Sequence, residues 1–208
     1  MAHTQIILIR HGQTVWNAEG RRQGHLDSPL SELGILQAKA VAEKLRLEEF
    51  STIYTSDLGR AYRTARYIAD ASGHKVFEDK RLREQNEGIF EGLTDEEVGA
   101  KYPEAYQAYL KRSPDYAIPG GESLVQLRKR AVDVFRELIG RHEEERTLVV
   151  SHAGLLSAFI RYILGIPLDV PRRFRLSHAS VSLVSYDGDE GVWHVVTLGD
   201  ISHLKQIG

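Results

Sequence analysis

The sequence predicts an α/β fold: a three-layer sandwich with a mostly parallel central sheet, helices on both faces and a C-terminal hairpin. Three observations carry this expectation. Short apolar, β-rich segments recur along the chain. Most are separated by segments whose apolar residues follow helical spacing, and strand–helix alternation implies a parallel sheet covered on both sides. The last two strand-like segments are instead joined by the turn-rich stretch 187–191, which reads as a hairpin.

Taken in order, residues 5–10 (QIILIR) are apolar and bounded by Gly12, as a buried strand should be. Loop composition follows from Gly12 to Leu30. Ser31 offers an N-cap, and Leu33, Leu36, Ala40, Val41 and Leu45 recur at helical spacing after it. Residues 52–55 form a short strand. A helix over 59–72 turns Ala61, Ala65, Ile68 and Ala69 inward and stops at Gly73. Residues 75–77 form a brief strand. The stretch 85–121 is rich in Glu, Tyr, Gly and Pro. Thr94 with Glu97 makes a capping box there, so it reads as short helices covering the sheet within one domain spanning 1–208. Ser123 with Gln126 opens a helix running to about 141. Residues 147–151 are an apolar strand, 155–164 a helix, and 181–186 and 192–198 the arms of the hairpin.

Composition narrows the function. The chain has 208 residues, 42% of them hydrophobic, enough for a real core. A formal net charge of -2 argues against wrapping nucleic acid or lying on an anionic membrane. Cysteine is absent, which excludes disulfides, thiol catalysis and cysteine-held metal. No apolar run approaches a membrane span or a secretory h-region, so a cytoplasmic protein is expected.

In parallel sheets, ligands bind beyond the carboxyl ends of the strands. The first strand ends in Arg10-His11. The second ends in Thr55-Ser56, with Arg60 in the first turn of the next helix. Arg81-Leu82-Arg83-Glu84 follows the third, and the apolar strand 147–151 runs into Ser151-His152. Arginine, histidine and one carboxylate thus gather at one edge. Arginine forks match phosphate oxygens, and helix N-termini near Gly59 and Gly154 add backbone donors. Imidazole can attack phosphorus, and a carboxyl group can protonate a leaving alkoxide. The set suits phosphoryl transfer through a phosphohistidine. A metal centre is disfavoured, because arginines repel a divalent cation.

Other polar residues have plainer readings. His3, His25, His74, His142 and His194 read as structural. Arg172, Arg173 and Arg175 form a solvated charge run, and Glu87 and Glu91 sit on a solvated loop.

The ordered motifs LIRHGQTVWN, RRQGHLDSPLSELGILQA, IYTSDLGRAYRTA, RLREQNEGIFEG, PGGESL and LVVSHAG resemble those of the histidine phosphatase superfamily, also called phosphoglycerate mutase-like. The resemblance implies a phosphoglycerate mutase-like fold, with His11 as nucleophile and Arg10, Arg60 and protonated His152 as the clamp on the phosphoryl oxygens. It implies Glu84 as proton donor, and Asn17, Gln23, Gly24 and Ala153 as further phosphate-binding positions. Gly12 would keep the backbone close to the nucleophile. Between the family's branches, the compact segment after Glu84 holds only Lys101, Lys111 and Arg112 as basic residues. That favours a phosphatase of the histidine acid phosphatase type over a cofactor-dependent mutase, which is the alternative. One departure stands out: His178-Ala179-Ser180 replaces the Asn-x-Ser or Asn-x-Thr of many relatives. No cofactor or metal is expected. The expected partner is a small phosphate ester, and a homodimer is compatible with the sequence.

Overall fold

The computed structural model describes residues 3–207. Its six strands are β1 (His3–Arg10), β2 (Ile53–Thr55), β3 (Val76–Glu78), β4 (Arg146–Ser151), β5 (Val181–Asp187) and β6 (Val192–Asp200). They form one sheet in the order β3-β2-β4-β1-β5-β6. β3, β2, β4 and β1 pair in parallel, while β5 runs antiparallel to β1 and to β6. The expected hairpin is therefore part of the sheet and closes one side of it.

Alternation along β1 builds the layers. Ile6 and Leu8 join Val149 under α6 (Leu124–Arg141) and α7 (Ala153–Ile163). Ile7 and Ile9 join Leu148 and Val150 under α2 (Glu32–Leu45) and α3 (Gly59–Ser72). Successive side chains of a strand face opposite ways, so one apolar run feeds two cores. Stacking of Phe135 on Phe159, 4.0 Å between ring centres, locks α6 to α7.

The helix starts behave as the sequence indicates. Ser31 caps α2 through Gly34 N–H, and Ser123 and Gln126 form a complete capping box on α6. Gly73 ends α3 in the left-handed region at φ 77°. The inward stripe of α2 differs from expectation. Leu33 and Leu36 are exposed, while Gly34, Ala38, Val41, Ala42 and Leu45 are buried. Small residues win because α2 lies against the loop after β1: a Cβ on Gly34 would stand 1.9 Å from the Gln13 carbonyl oxygen. That loop also contains α1 (Val15–Ala18), a single turn too short to show a period, closed by a Thr14–Asn17 capping box.

The segment 85–121 folds as a 3-10 turn (Gly88–Phe90), α4 (Asp95–Lys101) and α5 (Pro103–Leu110). Phe90, Val98 and Ile118 are buried together, with Tyr102, Tyr106 and Tyr109 packed around them. Thr94 and Glu97 supply the expected capping box. Among the described residues, no helix is long and apolar enough to cross a membrane.

Candidate active site

Parallel register puts Arg10 beside Ser151, so β1 and β4 deliver His11 and His152 to the same edge. Their ring centres lie 5.1 Å apart. A cleft of about 200 Å³ opens there, lined by Arg10, His11, Asn17, Gln23, Gly24, Arg60 and Glu84 from the sequence-predicted set. His152 lies behind His11 with no exposed surface. Gly154 reaches the cleft wall rather than Ala153, which begins α7 and leaves its amide without a protein acceptor.

His11 is almost fully buried, and its Nδ1 lies 2.7 Å from the Gly12 carbonyl oxygen. A carbonyl only accepts, so Nδ1 carries the proton and the Nε2 lone pair is free. Burial first, then the Arg60 and Arg10 guanidiniums, hold this imidazole neutral, well below its ordinary pKa. Glycine at position 12 also lets α2 approach: a Cβ there would stand 2.5 Å from the Gly34 carbonyl oxygen.

His152 has no hydrogen-bond partner on either ring nitrogen among the described residues. Burial, followed by Arg60 and His11, also pushes its pKa well below 6.5. The expected protonated state is therefore not that of the free protein. Two buried ring nitrogens without partners carry a desolvation cost that an anion could relieve.

The arginines are anchored rather than loose. Arg60 is almost completely buried and donates to the carbonyls of Gly24 and Leu26 and to Asp27 Oδ1, at 2.8–2.9 Å. Arg10 donates to Leu176 O at 2.7 Å and approaches His178 Nε2 at 2.6 Å. Nε of both arginines is buried without a partner among the described residues, which leaves each with an unused donor. Burial lowers the Arg10 pKa to about 10, with Glu84 opposing and Arg172 and Arg60 adding to the effect.

Glu84 spans the gap between the third strand and α7. Its oxygens accept from the amides of Gln85 (2.8 Å), Gly154 (2.9 Å) and Leu155 (3.2 Å). The N-terminus of α7 thus holds the carboxyl group, a fitting use of its positive dipole end. Of its first three amides, those of Gly154 and Leu155 are taken by Glu84, and that of Ala153 has no acceptor among the described residues. The α3 terminus is similarly engaged, since Asp27 accepts from the Arg60 amide. Arg130 of α6 grips the segment from below, donating to the carbonyls of Arg81 and Arg83 at 2.8 Å and of Glu84 at 3.1 Å.

Gly24 has φ 50°, and a Cβ there would lie 2.1 Å from Glu91 Oε1. The same carboxylate accepts from the amides of His25, Leu26 and Glu87, so it shapes the phosphate-side loop. Glu87 lines the cleft and pairs with Arg22 at 2.9 Å. Neither glutamate sits on a solvated loop as expected. His25 joins the second layer, with Nε2 2.9 Å from the Glu84 carbonyl oxygen.

Arg21, Arg22, Gln85 and Glu87 line the cleft without having been expected there, and His178 stands beside it. The signal for His178 was its departure from the family pattern. Ala179 beside it has φ 54° and donates its amide to the Arg10 and His11 carbonyl oxygens. This strained turn seats His178 5.8 Å from His11, ring to ring. Burial first, then Arg10, lowers the His178 pKa to about 3, so it stays a neutral acceptor.

A buried imidazole pair flanked by two anchored arginines and one carboxylate, at the carboxyl edge of this sheet, is chemically suited to phosphoryl transfer. The model of the histidine phosphatase superfamily (branch 1) matches residues 6–201, and the chain belongs to that family. A probable phosphoglycerate mutase GpmB of Enterobacter sp. (strain 638) is 41% identical, covering 96% of this chain and 94% of the relative. A metal-independent phosphoserine phosphatase of Arabidopsis thaliana is 39% identical, covering 99% of this chain and 85% of the relative. Among solved structures, Bacillus stearothermophilus YhfR superposes with a TM-score of 0.89 at 35% identity, covering 97% of this chain and all of the other.

Proposed function

We propose that this protein is a metal-independent phosphomonoesterase of the histidine acid phosphatase type, acting on small phosphorylated metabolites through a phosphohistidine. The observation that carries the reading is the His11 tautomer: Nδ1 faces the Gly12 carbonyl, so Nε2 is the nucleophilic nitrogen. In the first step Nε2 bonds to phosphorus as the ester P–O bond breaks, and Glu84 gives its proton to the leaving oxygen. Arg10, Arg60, His152 and the Ala153 amide take the charge on the phosphoryl oxygens, with Asn17, Gln23 and Gly24 fixing their position. In the second step Glu84 removes a proton from water, and the oxygen displaces His11 Nε2 to give inorganic phosphate. Positioning and electrostatics carry most phosphoryl transfer, so the residues present account for the chemistry.

The alternative is a mutase, favoured by the names of the GpmB-type relatives. A mutase must hold a second anionic group on its phosphorylated substrate. Here the cations lining the cleft away from Arg10 and Arg60 are matched by carboxylates, Arg21 by Glu97 and Arg22 by Glu87 and Asp95. That balance supports hydrolysis. The test is phosphate release from p-nitrophenyl phosphate in chelator, beside a coupled mutase assay primed with bisphosphoglycerate. Hydrolysis with mutase turnover at least a hundredfold slower is expected. The opposite ratio would replace this reading with the mutase.

A further inference from the structure

One wall of the cleft comes from the cover segment, and its charges are arranged with unusual care. Arg22 lies over the Tyr109 ring at 4.6 Å and the Phe90 ring at 5.7 Å. Its Nε donates to Asp95 at 2.7 Å and its Nη1 to Glu87 Oε1 at 2.9 Å. Arg21 is held by both oxygens of Glu97, by the Gly92 carbonyl and by Glu19. Both cations are thus engaged by two carboxylates each. Glu87 is engaged on one side only: Oε1 takes Arg22, while Oε2 has no hydrogen-bond donor among the described residues. Its side chain is 19% exposed and lines the same cleft as His11 and Glu84. Two aromatic rings and an ion pair therefore hold Glu87 in the cleft wall with one carboxylate oxygen left for a further donor.

We infer that Glu87 is a specificity-determining residue that selects phosphate esters whose leaving group carries a primary ammonium. The inference rests on the phosphomonoesterase reading and adds the substrate class. The phosphoryl end of the cleft is cationic, through Arg10 and Arg60, and Glu87 adds a carboxylate to the wall away from them. A dipolar substrate, anionic at phosphorus and cationic at its other end, matches both. A leaving group bearing a carboxylate meets like charge, because the arginines that might have received it are already paired. Burial, opposed by Arg22 and reinforced by Glu84, raises the Glu87 pKa to about 7, and a bound ammonium would draw it back to the ionised state.

A ladder of three two-carbon esters tests this: O-phosphoethanolamine, the monophosphate of ethylene glycol and 2-phosphoglycolate, each measured as kcat/KM at pH 8. The expected order is ammonium above neutral above carboxylate. The first step should be about tenfold to a hundredfold, the usual worth of a charge-assisted hydrogen bond. Glu87→Gln, checked for an unchanged fold by circular dichroism, should bring ammonium and neutral esters to within about threefold of each other. Equal rates for all three esters in the wild-type protein, or an order unchanged in Glu87→Gln, would overturn the inference while leaving the phosphatase reading intact. Failure to release phosphate from any ester would instead count against the phosphatase reading. Should the variant not fold, the wild-type order decides alone.

Discussion

A methyl group on Gly154 would lie 2.2 Å from Glu84 Oε1, closer than any real contact allows. The α7 amides and the Glu84 carboxyl group fit together because nothing projects between them. Gly154→Ala should therefore displace the proton donor while the helix itself, which favours alanine, persists. Proton transfer by a positioned group contributes about 10²–10⁴ in rate, so kcat on an alkyl phosphate should fall by about 10² or more. An activated ester such as p-nitrophenyl phosphate needs less protonation and should suffer less. Equal losses on both substrates would mean that Glu84 serves binding alone. At the same scale, His178→Asn keeps an acceptor for Arg10, so the guanidinium should hold its place and activity should fall less than tenfold. A hundredfold loss would show that the imidazole itself is required.

At the scale of elements, the site depends on α6, which contributes no residue to the cleft. Its Arg130 donates to three carbonyls of the segment after β3, those of Arg81, Arg83 and Glu84, and pairs with Glu122. Arg130→Met keeps much of the stem but takes the guanidinium donors from the partly buried carbonyls of Arg81 and Arg83 and leaves Glu122 without its cation, a loss of about 1–3 kcal/mol for each group left unpaired. The expected outcome is a lower denaturant midpoint together with a reduced kcat and a smaller change in KM. Wild-type kcat in a destabilised variant would show that Glu84 is positioned by α7 alone. Elements with a strong period were legible in the sequence: α3, α6 and the strands appear within a residue or two of expectation. The short turn α1 and the inward face of α2 were not. One turn has no period, and the packing of α2 is decided by the close approach of Gly34 to a loop whose path the sequence does not display.

At the scale of the molecule, the fold buries two neutral imidazoles, His11 and His152, and half-buries a third, His178, beside two arginines. Their folded pKa values lie below the unfolded value of about 6.5. Below that pH the unfolded chain takes up protons that the native state does not, so stability is full above pH 6.5 and is lost as pH falls. Each imidazole contributes up to roughly 1.4 kcal/mol per pH unit on that limb. Unfolding free energy measured between pH 8 and 5 should decline accordingly, and His178→Asn should make the decline shallower. An unchanged slope in the variant would place a protonated His178 in the native state.

The strand-end residues Arg10, His11, Arg60, Glu84 and His152 were legible as a group because a parallel sheet sends all its strand ends to one edge. Arg22 and Glu87 were not, since they stand 65 positions apart and meet only through the packing of the cover. The central claim is that His11 takes the phosphoryl group. The most direct measurement is rapid acid-free quenching of the enzyme with a ³²P-labelled ester, followed by mapping of the label. The account predicts acid-labile, base-stable label on His11, formed within one turnover and absent from His11→Asn. Full turnover by His11→Asn, or label found on another residue, would contradict it.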